Sequence, residues 1–450
     1  MPGEQTVEQD IVEEHTLEET PIEEGNKALN PEQKLKELSK EIRNKIENER
    51  VWREMRILWH SVAPFISSGY GKVTKNFATG LFERGFPIFC SAYYGIQPGG
   101  ILNFNGLYVL PVEHTQGDKL GLKTCQEHYQ KLKIDLGIFH ADFWVSYTFA
   151  KNIPNSLCYT PIDQEEYPPK WLEVLRAYKW VAVPSLHGQK VLKKGGIDAF
   201  YLPHGVDPKI FKPMDKTKCR SLFTVEKDKF VIGTVAANND DEPRKGWDSM
   251  FQTVKYFMEA NPDAQKDTVF LIHSDPKNEK GRNLYELAKQ VGVEEWVIWN
   301  DRYTAAIVGL PETSLAAFYN SMDVFLMMSR REGFCIPVLE AQACGVPAIV
   351  NDFSALRERV DNGKCGWLCK PAAYVYSPLN AITSIPDAHR GADALGEAYN
   401  DREKLKKFAA KGLQFAKRQT WDVAIDKYFL PFLEQSWPEM SKKKEEKKPE

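Results

Sequence analysis

The chain has 450 residues, 42% hydrophobic and 27% charged, with a formal net charge of −3. That composition excludes collagen-like and wholly disordered classes and suits a globular protein of two or three domains. No uninterrupted apolar run approaches the ~18 residues of a spanning helix. The opening MPGEQTVEQDIVEEH is acidic where a signal peptide would be basic and then apolar, so a cytoplasmic location is expected. Eight scattered cysteines, without a CxxC pair or paired Cys/His spacing, predict reduced thiols rather than disulfides or a metal site. Residues 1–30 carry −8 and the last ten +2, which leaves the body at +3. Such a body lacks the broad basic surface of a nucleic-acid binder.

Residues 1–29 are acidic and nearly free of aromatics, and are expected to stay disordered because they bury too little apolar area to offset ordering entropy. Asn30, Pro31 and Gln33 then form a helix-start signature. Leu35, Leu38, Ile42 and Ile46 make one apolar stripe, for packing on the main body or for a partner or membrane surface. From Met55, MRILWHSV, PIFCSAYY, LYVLPV, DLGIFHAD, SLCYTP, WVAVPS and FYLP read as buried strands separated by helical patterns such as Val73, Phe77 and Leu81. The rhythm pauses at 203–218 and resumes with KFVIGTVA, VFLIHS, WVIWN, DVFLMM, PAIV and GWLC. Strand–helix alternation of this kind predicts an α/β fold of two doubly wound parallel sheets, with ligands beyond the carboxyl ends of the strands.

The stretch DVFLMMSRREGFCIPVLEAQACGVPAIVND carries the most chemistry. Pro337 marks a helix start and Gly345 its stop, which places Glu332 in the preceding loop and Glu340 in the first turn. The N–H groups of Gly333, Phe334 and Cys335 then lie at a helix N-terminus, where phosphate is favoured. The two carboxylates serve either as helix-dipole partners or as acceptors for sugar hydroxyls.

Glu332 and Glu340 stand at the spacing of an E-x7-E signature. EGFCIPVLEAQACGVPAIV, with SSGYGKVTKNFATGLFERG, LPHGVD and GTVAANNDDEPRKGWD, resembles the retaining GT-B glycosyltransferases of the glycogen-synthase-like group 1, or family 4. The resemblance runs through most of residues 55–440 and implies two facing Rossmann-like domains. It also implies a hexosyltransferase-type reaction from a nucleotide-sugar donor with retained configuration, and neither cofactor nor metal. The acceptor is a carbohydrate, a lipid-linked sugar or a protein. A sugar phosphorylase or epimerase on the same fold, or a silent interaction protein, is the competing reading.

By the same resemblance, Glu340 would hold the donor ribose and Glu332 the donor sugar. The Gly333 and Phe334 amides would lie near sugar and pyrophosphate, and Lys245 on the diphosphate. Relatives carry an Arg upstream of that Lys, where this chain reads AANNDD; either Arg244 replaces it or Asn238 makes a neutral contact. Gly69 and Gly71 match the first glycine-rich loop, as ligand contacts or as a turn. His140, with Asp142 beside it, is the candidate near the reacting sugar, and His114 the second choice. His204 is expected to be structural or donor-adjacent. Tyr93, Tyr94, Tyr108, Phe143, Trp144 and Tyr147 are candidates for an acceptor wall. The expected organisation is a tail and helix over 1–50, a first domain over 51–210, and a nucleotide-sugar domain over 211–418. A helix over 419–440 crosses back, with Trp421, Val423, Tyr428 and Phe432 as its docking face, and a charged tail covers 441–450.

Overall fold

The computed structural model describes residues 52–97, 99–145, 148–239, 242–300 and 309–445. The expectations for residues 1–50, Tyr147 and the last five residues lie outside them. The first sheet contains β1 (Ile57–Val62), β2 (Ile88–Tyr94), β3 (Leu102–Phe104), β4 (Leu107–Pro111), β5 (Leu136–His140), β6 (Ser156–Tyr159), β7 (Trp180–Val183) and β8 (Phe200–Tyr201). Its order is β3-β4-β2-β1-β5-β6-β7-β8, parallel except for the β3–β4 edge. The second sheet is wholly parallel: β9 (Phe230–Val235), β10 (Thr268–His273), β11 (Val297–Trp299), β12 (Val324–Met327), β13 (Ala348–Asn351) and β14 (Gly366–Cys369), in the order β11-β10-β9-β12-β13-β14. A hairpin of β15 (Ala373–Tyr376) and β16 (Ile382–Ile385) follows. Every strand expected from the sequence forms, because strands buried on both faces leave unbroken apolar runs.

The longer helices are α1 (Gly69–Glu83), α2 (Leu122–Lys131), α3 (Pro169–Arg176), α4 (Leu186–Lys194), α5 (Lys216–Leu222), α6 (Trp247–Ala260), α7 (Leu284–Val291), α8 (Glu312–Asn320), α9 (Ile336–Ala343), α10 (Ala388–Asn400), α11 (Arg402–Lys417) and α12 (Leu430–Glu445). Val73, Phe77 and Leu81 of α1 are buried as their spacing predicts. Among the described residues no helix is long and apolar enough to cross a membrane.

The chain returns to the first sheet just before α12. Val206 donates its N–H to Gln419 O at 2.9 Å, and Thr420 caps the turn Trp421–Ala424. A π turn over Ile425–Phe429 precedes α12. Trp421 lies 5.4 Å from Phe77, Tyr428 5.2 Å from Tyr201, and Phe432 4.7 Å from Phe200, ring centre to ring centre. Val423 does not join them; it stays half-buried and outside the core. Ile425 and Phe429 take its place, with Phe429 5.2 Å from Phe77. Residues two apart on a helix point to different faces, so Val423 turns away from the side that Trp421, Ala424 and Ile425 share. Arg84 fixes the segment at its edge by gripping Asp426 (2.6 and 3.0 Å) and Asp422 (2.9 Å).

Candidate functional site

The loop after β6 and the helix α1 meet the loop after β12 and the helix α9. After β9 the chain turns through Arg244, Lys245 and Gly246 into α6. Gly246 is left-handed (φ 65°) and a Cβ there would strike the Met328 carbonyl, so glycine is required for this loop to pass the strand end. Arg330 N–H donates to Arg244 O at 2.8 Å and joins this loop to the one after β12. The two loops bring Lys245 Nζ within 2.7 Å of Glu332 Oε1, with Arg244 Nη1 4.0 Å from Oε2. Glu332 is buried, and burial alone would raise its carboxyl; Lys245 and Arg244 outweigh it and hold the group below the ordinary carboxylate range. Its backbone N–H is anchored on Ser354 Oγ at 2.9 Å. Gly333, Phe334 and Cys335 immediately precede the first residue of α9, which places their N–H groups at its N-terminus. Pro337 is the second residue of α9, whose N-cap Cys335 has φ 70°.

Glu340 lies one turn into α9 rather than in its first turn. Lys72 Nζ of α1 pairs with Oε1, and Tyr319 Oη donates to Oε2 at 2.9 Å. Burial raises this carboxyl above its ordinary value, against the pull of Lys72 and Tyr319. Lys75 pairs with Glu312 at 2.7 Å beside it. Lys72 therefore belongs to the site, although its sequence context marks it only as an early residue of α1. Lys72→Met is expected to lower the thermal midpoint, because a buried carboxylate stripped of its partner is costly. Measured by scanning calorimetry, the loss should shrink as pH falls, since protonated Glu340 needs no counter-charge.

Four of the expected site residues have protein partners of their own. Asn238 is bonded within the protein: its Nδ2 donates to Asp275 O (2.8 Å) and Arg282 O (2.7 Å), and its Oδ1 accepts from Arg282 N (3.0 Å). The whole amide is spent on pinning the 275–282 loop. Gly71 is the third residue of α1: its N–H donates to the Ser68 cap at 3.0 Å and a Cβ would meet Ile66 O, while the space at Gly69 is open. A Cβ at Gly333 would meet Pro161 of the first sheet's loop. His140 is the last residue of β5, and its ring is closed in by Tyr70 and Tyr159 at 5.0 Å and Trp59 at 5.5 Å. Its Nδ1 lies 3.1 Å from Ser61 Oγ, and burial pulls its pKa down to about 3, so the ring is the neutral imidazole at neutral pH. Asp142 accepts from Tyr70 Oη at 2.9 Å.

His204 packs 4.6 Å from Phe334, whose ring lies under the Arg359 guanidinium (3.9 Å). His114 is exposed on the loop after β4, and His273 holds Asn300 at 3.1 Å. Of the aromatic candidates Phe143 is core, whereas Tyr94 and Tyr108 are exposed.

His60 and His140 are pulled down to about 3, and His273 to about 4, by burial. Each is neutral when folded and takes a proton near pH 6.5 when unfolded. Their contribution is complete above pH 6.5 and is lost as pH falls toward 4 and then 3, by about 1.4 kcal/mol per pH unit for each. Urea unfolding from pH 7 to pH 5 should show stability falling steadily.

Two facing parallel-sheet units with buried carboxylates and cations at the strand ends define a GT-B protein. Residues 230–384, within the second sheet's part of the chain, match the family described as Glycosyl transferases group 1. The D-inositol 3-phosphate glycosyltransferase of Stackebrandtia nassauensis is 26% identical over 227 residues, 50% of this chain and 46% of that protein. The chain thus spans about half the length of the curated relatives it matches. Among solved structures, sucrose-phosphate synthase from Thermosynechococcus elongatus superposes with a TM-score of 0.67 at 16% identity, over 86% of this chain and 100% of that one. A glycosyltransferase from Rickettsia africae superposes at 0.64 and 15%, over 85% and 98%. These likenesses establish the fold.

Proposed function

We propose that the chain is a retaining, metal-independent glycosyltransferase that moves a sugar from a nucleoside-diphosphate sugar to a hydroxyl acceptor. The observation that carries this reading is the Lys245–Glu332 pair at the head of α9, with Arg244 beside it. Glu340 accepts from the ribose hydroxyls once Lys72 yields or shares Oε1. Glu332 accepts from a hydroxyl of the donor sugar. As the anomeric carbon–oxygen bond breaks, the electron pair leaves with the diphosphate. Lys245, Arg244 and the amides at 333–335 face that growing charge, where preorganised donors act most strongly. The acceptor oxygen bonds to the anomeric carbon and its proton passes to the departing phosphate. His140, neutral and enclosed, orients the wall of the pocket rather than moving a proton. Retention follows from the E-x7-E resemblance. The matched family segment lies on the donor side, so the acceptor is not carried over from relatives.

A thermal-shift panel of nucleotide sugars tests the reading. A donor at 100 times its Kd stabilises by roughly 2.7 kcal/mol, and a panel without a shift would remove the proposal. Release of nucleoside diphosphate, rather than sugar phosphate, separates it from a phosphorylase. Turnover should survive EDTA, because the cations of the clamp are side chains. Activity lost to chelation and restored by a divalent ion would end the metal-independent assignment.

A further inference from the structure

We propose that Arg331 is a positioning residue that fastens the donor side of the cleft to its opposite wall for the transfer step, an inference that rests on the glycosyltransferase reading above. Arg331 directly precedes Glu332 and is buried. Its Nη1 and Nη2 donate to Glu242 Oε1 and Oε2 at 2.6 and 2.7 Å, a parallel fork. Its Nε donates to Asp163 Oδ2 at 3.2 Å. Glu242 stands three residues before Lys245 in the loop after β9. Asp163 stands in the loop after β6 of the first sheet, where Tyr167 Oη (3.2 Å) and Gln164 Nε2 (3.3 Å) hold its other oxygen. That loop also carries Pro161, which occupies the space a Cβ at Gly333 would need.

One guanidinium thus ties together the loop of Glu332, the loop of Lys245 and the wall of the first unit. Only a planar group with donors on several edges can do so; an ammonium cannot span both carboxylates with this geometry. The two arms have different consequences. The Glu242 arm lies within the second unit and steadies the loop that carries Lys245. The Asp163 arm crosses between the units, so its loss leaves the donor half assembled; it changes how the halves meet and, within the first unit, releases Tyr167 and Gln164. Transfer depends on that meeting, since a displacement of about 1 Å can cost ~100-fold in rate.

The test compares the parent with D163A, D163N, E242Q and R331K. Turnover is followed as nucleoside diphosphate released from UDP-, GDP- and ADP-activated hexoses with water as acceptor. In that reaction the anomeric carbon–phosphate oxygen bond breaks, water oxygen bonds to the carbon, and its proton goes to the phosphate. Binding is followed by titration with UDP, GDP and ADP. We expect D163A to lose ~100-fold in kcat while its diphosphate Kd and donor KM stay within about threefold. D163N, which keeps an acceptor for Nε, should recover most of the rate. E242Q should weaken diphosphate binding, and R331K should show both defects. D163A as active as the parent, or D163A losing binding in step with kcat, overturns the inference alone. Should D163A fail to fold, an unchanged kcat in both D163N and R331K overturns it equally. A parent that neither binds a nucleoside diphosphate nor turns over a donor overturns the glycosyltransferase reading, and the inference with it.

Discussion

Glu332→Gln is expected to lose at least ~100-fold in turnover while still binding nucleoside diphosphate. The carboxylate is buried, anchored through its own N–H on Ser354, and held ionised by Lys245 at 2.7 Å. The amide keeps the shape and removes the charge. A hydrogen bond to a buried charge is worth about 1.5–3 kcal/mol, and each 1.36 kcal/mol lost in the transition state is tenfold in rate. If the bond tightens as the sugar becomes cationic, the whole loss falls on kcat. Diphosphate binding persists because Glu340, Tyr319 and the amides at the head of α9 lie elsewhere in the loop–helix unit. Steady-state kinetics beside calorimetric titration would decide this, and near-parental turnover would remove Glu332 from the reaction.

The second large effect is at Lys245. Lys245→Ala should weaken diphosphate binding by roughly 10–100-fold, as a charged hydrogen bond requires, and leave free nucleoside binding nearly unchanged. A further consequence concerns pH. Burial raises the Glu332 carboxyl, and Lys245 and Arg244 pull it down. Without Lys245 the balance tips upward, so Glu332 takes a proton at higher pH than in the parent. The acid limb of the rate profile should therefore move toward neutrality. Arg244→Ala should move it less, because its guanidinium stands 4.0 Å away. Unaltered diphosphate affinity in both variants would leave the phosphate site to backbone amides alone.

Some elements were hidden from the sequence for identifiable reasons. The edge strand β3 and the hairpin β15–β16 are short, antiparallel and half exposed, so they lack long apolar runs. The β3–β4 turn did carry a signal: Asn105 and Gly106, both at positive φ, form the dipeptide that favours a two-residue hairpin. Lys72, Tyr319, Arg331 and Asp163 looked like ordinary surface or helix residues. Their partners stand 268, 21, 89 and 168 positions away in the chain, beyond the reach of any local pattern. The partners of Asn238, Asp275 and Arg282, likewise stand 37 and 44 positions on.

The sequence by itself determined the two parallel sheets, because strands covered on both faces must be apolar throughout. It also determined the helix head after Glu332, because Pro337 and Gly345 restrict the backbone wherever they stand. It placed Glu332, Glu340 and Lys245 at strand ends and helix starts, where this topology gathers ligands. Only the tertiary structure decided which charges meet. Ion pairing depends on distances of a few ångströms between segments far apart in the chain, and these follow from how the two sheets pack. Neighbouring strands β9 and β12 set Lys245 on Glu332 and Arg331 on Glu242, packing between the two sheets set Lys72 on Glu340 and Arg331 on Asp163, and the first sheet enclosed His140 among aromatic rings that keep it neutral.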